Sequence, residues 1–230
     1  MFDQFKLVDL THALDENAPT WTGGCGFSYE IKRDYDSGVR VQKYTMHAGV
    51  GTHIDAPSHF IRGGKNVGDI PLETLMVPVC VIDVKARIAP NLFVTPKDVK
   101  EYEREHGKIK KGALVIARTG WERYWNTPEK YRNPVGDKVA FPGLTGEAAE
   151  MLVDLGVCGI GIDTLSPDGS NCEAFPVHHA VLGSGGYILE NLTNLDRLPP
   201  KGAYVIALPP KIAEGAEATL RVVGLCPIEK

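Results

Sequence analysis

The sequence predicts an α/β fold built on a mixed sheet with few helices, and three observations predict it. Runs whose length and alternation suit strands outnumber runs with helical periodicity. Several strand-like runs occur in the amino-terminal half, and the helical patterns are interposed later, unlike the regular alternation of a doubly wound parallel sheet. At 230 residues and 43% hydrophobic, the chain is long and apolar enough to bury one full core without staples, so the span 1–230 is expected to be a single domain.

In chain order, short apolar or alternating runs at 6–10, 42–47, 77–84, 113–117 and 204–208 have strand length, and 159–162 and 220–225 are two further strands. A helix over 95–105 opens on Thr95-Pro96, an N-cap followed by a first-turn proline. A second over 145–155 opens on Thr145 and places Ala148, Leu152 and Leu155 on one stripe. The segments 18–27, 121–142 and 166–176 are long for connectors, and loops of that length often carry sites.

Composition excludes several function classes. With 25 basic against 29 acidic residues mixed along the chain, there is no electrostatic footprint for nucleic acid, and a small-molecule substrate is the expected partner. No apolar run is long enough to span a membrane, and the amino-terminal residues lack the pattern of a secretory signal. The five cysteines are scattered with no C-x-x-C pair, which fits a reducing cytoplasm rather than a disulfide framework. Cys80, Cys158 and Cys226 lie among apolar residues and read as core, whereas Cys25 and Cys172 lie in loops. Gly183-Ser184-Gly185-Gly186 is not a nucleophile elbow, and Gly159-Ile160-Gly161 lacks the third glycine of a dinucleotide fingerprint.

The chemistry concentrates in Gly51-Thr52-His53-Ile54-Asp55-Ala56-Pro57-Ser58-His59-Phe60. In an extended segment, residues two apart point the same way at roughly 7 Å, so His53 and Asp55 can converge on one ion. Pro57 then turns the chain and brings His59 back towards the same pocket. Downstream, His178 and His179 would lie about 100° apart on a helix, leaving one free to face a pocket. Glu190 ends the apolar run Tyr187-Ile188-Leu189, where a buried carboxylate requires a cation or donors.

These residues, in this order, resemble the cyclase-like family of metal-dependent hydrolases, which includes bacterial kynurenine formamidase and isatin hydrolase. Gly51, Thr52, His53, Asp55, Pro57 and His59 fall on the motif H-x-G-T-H-x-D-x-P-x-H, and further matches are Trp21, Asp163, Ser166, Asp168, His178 and Glu190-Asn191-Leu192. The resemblance implies a swivelling β/β/α single domain assembling as a homodimer or homotetramer. It also implies a divalent zinc or manganese centre with His53, Asp55, His178 and Glu190 as ligands, and His59 as general acid/base. Trp21 would line the pocket for a flat ring, with Phe60 as an aromatic neighbour. The implied reaction is hydrolysis of a small amide, an arylformamide or a cyclic amide or imide. A lactonase, a lyase and a non-catalytic binding homologue are the alternatives.

The chain departs from the motif at its first histidine, which is Gly49 here, with His47 two residues early. His47 is expected not to be a ligand, the ion completing its shell with water or substrate. Gly49→His is then expected to tighten binding.

Overall fold

The computed structural model describes residues 4–170 and 173–228, so the expectation for Cys172 falls outside the described residues. The architecture is the predicted one, a mixed and strongly curled sheet with few helices. Nine strands run in the order Phe5–Asp9, Arg221–Pro227, Lys201–Leu208, Met76–Asp83, Leu114–Arg118, Gly159–Ile162, Tyr187–Glu190, His53–Asp55 and Glu217–Thr219. Met76–Asp83, Leu114–Arg118, Gly159–Ile162 and Tyr187–Glu190 pair in parallel, and every other pairing in this sheet is antiparallel. Only Leu220 separates the edge strand Glu217–Thr219 from Arg221–Pro227, which lies beside the opposite edge. The sheet must therefore curl until its ends approach. The bridge Thr11–Leu192 and the hydrogen bond from Thr193 N to Leu10 O (3.1 Å) link the segment after the first edge strand to the far side of the sheet.

Alternation along the strands builds two cores. Leu114 and Ile116 point into the curl with Leu10, Ile54, Leu189, Val205 and Val222. Val115 and Ala117 point the other way, under the helices, with Ile160, Ile162, Leu152, Val177 and Val181. The predicted helices form at Pro96–His106 and Gly146–Asp154. The first starts on a Thr95/Asp98 capping box, and Thr145 Oγ1 caps the second by accepting from Ala148 N at 3.2 Å.

Three features go beyond the predicted elements. Phe27–Arg33 is an additional strand that pairs with Val41–Met46, the strand expected over 42–47, as an antiparallel ribbon. The segment 121–142 is a folded layer rather than a bare loop, and its Trp121, Trp125, Tyr131 and Phe141 form a third core with Val50 and Leu165. The third is the short helix Pro176–Gly183.

Candidate metal centre and active site

The period of a strand positions the first candidate ligands. In His53–Asp55, Ile54 packs into the curl while His53 and Asp55 turn to the opposite face. Register places Glu190 opposite His53 on one neighbouring strand and Glu217 opposite Asp55 on the other. Directly opposed residues share a face, so the two carboxylates join the pair. The helix Pro176–Gly183 then lowers His178 onto the group, while His179, on the next bearing, is exposed.

Two overlapping sets result: His53, Asp55 and Glu217, and Asp55, His178 and Glu190, with ligand atoms within 4.8 Å of one another in each. Asp55 belongs to both. His53 Nε2 lies 3.4 Å from Asp55 Oδ1 and 3.3 Å from Glu190 Oε2, and His178 Nε2 lies 3.6 Å from Asp55 Oδ2 and 3.5 Å from Glu190 Oε1. These separations exceed ordinary charge-assisted hydrogen bonds of about 2.7–2.9 Å. They match the roughly 3.4 Å between donors that each stand about 2.1 Å from a tetrahedral ion. Asp55 is 1% exposed, yet neither of its oxygens has a hydrogen-bond partner. A buried carboxylate left in this way is costly unless a cation meets it, so the residues fit a divalent ion.

The electrostatics agree. Burial pulls the His53 imidazole down, but Asp55 and Glu190 outweigh it and hold the proton affinity well above the usual histidine range. Burial likewise opposes, and Asp168, Asp55 and Glu190 raise, that of His178. Burial would raise Asp55, but the two imidazoles hold its carboxyl low. Glu217 is raised by burial and then by the neighbouring Asp55 charge. This is a pocket that attracts positive charge, whether protons or a metal.

The two candidate ligand histidines are held from behind. His53 Nδ1 lies 2.9 Å from Gly51 O, which makes Nδ1 the protonated nitrogen and turns Nε2 to the site. Asp168 accepts from Val177 N at 2.7 Å and His178 N at 3.3 Å, and its Oδ2 lies 2.5 Å from His178 Nδ1. One carboxylate thereby caps the helix and sets the ring of its ligand.

The cavity over this group has a volume of about 400 Å³. His59, brought back by the turn Pro57–His59, lines it with Nδ1 3.6 Å from Glu217 Oε2, and belongs to neither ligand set. Phe60 stacks on His178 at 4.4 Å between ring centroids, and Trp21 lines the same cavity. Phe175 stands 6.3 Å from Trp21 and 5.2 Å from Phe60, closing an aromatic slot. Its φ of 44° is the left-handed region, which non-glycine residues adopt at a cost and which recurs at functional sites.

Every residue proposed from sequence lines this cavity, and two that were not, Glu217 and Phe175, join them. Glu217 lies where a side chain at position 49 would project. A Cβ on Gly49 would overlap Glu217 Oε1 and lie 3.3 Å from His53 Nε2, so the carboxylate occupies the space a side chain at 49 would need. Gly49→His, expected to tighten metal binding, would have to move the Glu217 carboxylate aside to enter that space. Where the shell was expected to be completed by water or substrate, the Glu217 carboxylate also stands within 4.8 Å of the His53 and Asp55 ligand atoms. His47 is exposed, as expected of a residue that is not a ligand.

Comparison with known proteins agrees with this geometry. The Cyclase family model matches residues 8–169. Isatin hydrolase of Roseibium aggregatum is 34% identical over 188 residues, covering 77% of this chain and 71% of that protein. Kynurenine formamidase of Bacillus cereus is 31% identical over 219 residues, covering 94% and 95% respectively. The solved structure of isatin hydrolase A from Ralstonia solanacearum has a TM-score of 0.90 at 32% identity, covering 97% of this chain and 93% of that one.

Proposed function

We propose, from the premise that this chain belongs to the Cyclase family and is a metal-dependent hydrolase acting on C–N bonds, that its substrate is a small aromatic amide. Within that class we include arylformamides and cyclic amides of the isatin kind, since relatives named for both match the chain. The observation that carries the reading is Asp55, a buried carboxylate without hydrogen-bond partners, shared between two ligand sets at the floor of an aromatic slot.

His53, Asp55 and Glu217 would hold one divalent ion and Asp55, His178 and Glu190 another, zinc and manganese both suiting imidazole with carboxylate. Bound there, the metal lowers the pKa of water and polarises a carbonyl oxygen. The chain's own residues do the rest. Trp21, Phe60 and Phe175 hold the ring flat and place the amide carbonyl over Asp55. As water adds to the carbonyl carbon, His59 takes its proton. When the C–N bond breaks, the same imidazole returns that proton to the departing nitrogen, leaving an amine and a carboxylic acid that releases its remaining proton to water as a carboxylate. Glu217, beside His59 Nδ1, orients the ring so that Nε2 meets the substrate.

The span 1–230 is read as one functional domain. A homodimer or homotetramer is supported by the ribbon, whose apolar face carries Tyr29, Ile31, Tyr44 and Met46, all exposed and available to a second copy. Cytoplasmic residence is supported by Cys25, Cys80, Cys158 and Cys226 being free thiols. Elemental analysis of protein purified without added metal, joined to a panel of N-formyl aromatic amines, isatin-like lactams and simple lactones, tests the reading. Turnover of the amides with stoichiometric zinc or manganese is expected. Turnover confined to lactones would refute the amidase assignment.

A further inference from the structure

Behind the ligands lies a buried polar chain that the reaction does not use directly. Asn191 follows Glu190, is fully buried and holds a left-handed backbone at φ 54°. Its Nδ2 donates to Gly51 O at 2.9 Å, and its Oδ1 accepts from the Tyr131 hydroxyl at 2.9 Å. Its main-chain carbonyl accepts from Thr52 Oγ1 at 2.6 Å, and its main-chain N donates to Thr164 O at 3.0 Å. The amide orientation follows from chemistry. Gly51 O can only accept, so the NH2 group must face it, and the oxygen is then left for the hydroxyl of Tyr131.

Gly51 O is also the carbonyl that His53 Nδ1 meets at 2.9 Å. A carbonyl has two lone pairs, and here the ligand imidazole takes one while the Asn191 amide takes the other. Gly51 itself sits at φ 70° in a tight loop, so its carbonyl direction depends on what grips it. Asn191 therefore couples two ligands on different strands. Its backbone continues from Glu190, and its side chain fixes the carbonyl that aims His53.

Resting on the metal site proposed above, we infer that Asn191, oriented by Tyr131, is a positioning residue that sets the His53 Nε2 direction and so the metal affinity. Partners behind a ligand histidine typically contribute about 10–100-fold in affinity. Asn191→Gly keeps the left-handed backbone accessible and removes the amide. Tyr131→Phe keeps the packing and removes the hydroxyl, whose one proton Asn191 Oδ1 shares with Asp163 O at 3.0 Å.

The test loads wild type and both variants with Co2+ and measures chelator competition, the visible absorption of the bound Co2+ and the melting temperature. Asn191→Gly should release Co2+ at about 10–100-fold lower chelator with an altered absorption band. Tyr131→Phe should shift in the same direction by several-fold. Lower melting temperatures with wild-type affinity and spectrum would overturn the inference, since a merely structural role predicts that pattern. If Asn191→Gly does not fold, Tyr131→Phe decides by the same criteria. Wild type that takes up no Co2+ would overturn the metal reading and this role with it, whereas Co2+-loaded wild type with indistinguishable variants would overturn the role of Asn191 alone.

Discussion

Gly49→Ala is the most informative single change, because it alters no ligand and yet should remove one. The new Cβ would overlap Glu217 Oε1, and ordinary contact near 3.5 Å requires the carboxylate to withdraw by about 1 Å. Metal–oxygen bonds tolerate only about 0.2 Å, so a withdrawal of that size breaks coordination. A structural zinc site contributes roughly 10–16 kcal/mol from four ligands, so one ligand is worth on the order of 3 kcal/mol, or about 10²-fold in affinity. Gly49 does not have a positive φ, so alanine adds no backbone strain to confuse the result. Chelator competition on metal-loaded protein should place Gly49→Ala near Glu217→Ala, each about 10²-fold weaker than wild type. The double variant should be no weaker than Glu217→Ala, because two changes acting on one group do not add. In the Glu217→Ala background, Gly49→His should recover part of the loss, since the space is then vacant. Wild-type affinity in both single variants would show that Glu217 is not a ligand, and additive losses would show that Gly49 acts by another route.

Three further outcomes are expected. Asp55→Ala, which removes the carboxylate shared by both sets, should leave less than about a tenth of the metal and activity with an intact circular-dichroism spectrum; retained metal by elemental analysis contradicts the assignment. His59→Ala should keep its metal and lose about 10²–10⁴ in kcat, whereas loss of metal would make His59 a ligand. His12 stacks on Trp125 at 3.9 Å with Nε2 buried and unpartnered, and burial lowers its pKa to about 4. A histidine lowered on folding stabilises the neutral state above its unfolded pKa, near 6.5, and that contribution is lost as pH falls towards 4. Urea titrations should therefore show His12→Phe gaining roughly 3 kcal/mol on wild type between pH 7 and pH 4, and parallel pH dependences would refute it.

What the sequence made legible was whatever depends on local period. The strand at 77–84 and the helices after Thr95 and Thr145 carry their own caps and alternation, and they form within a residue or two of expectation. The ribbon strand Phe27–Arg33 also alternates Phe27, Tyr29 and Ile31 with polar residues, a period present in the sequence but absent from the predicted elements. Residues 121–142 were opaque for a different reason. Their aromatic side chains lack a regular period and bury themselves against Val50 and Leu165, contacts that exist only once the chain is folded. The same division holds at the site. His53, Asp55 and His59 share one short segment, but Glu217 reaches Asp55 only through an edge strand paired across more than half the chain.

That long-range pairing also explains why the broken motif does not imply a broken site. Replacing a neutral imidazole by Glu217 adds one negative charge to a group that already holds Asp55 and Glu190. With neutral His53 and His178, three carboxylates around one divalent ion leave a net charge of about −1 in a buried pocket, an arrangement that burial penalises. Two divalent ions reverse the sign to about +1, which the anion developing on a hydrolysing amide can neutralise. On the proposed ligand sets, the charge of Glu217 therefore favours two divalent ions over one. Its geometry gives the same answer as its charge, because Asp55 offers one oxygen to each imidazole and Glu217 stands on the side of His53.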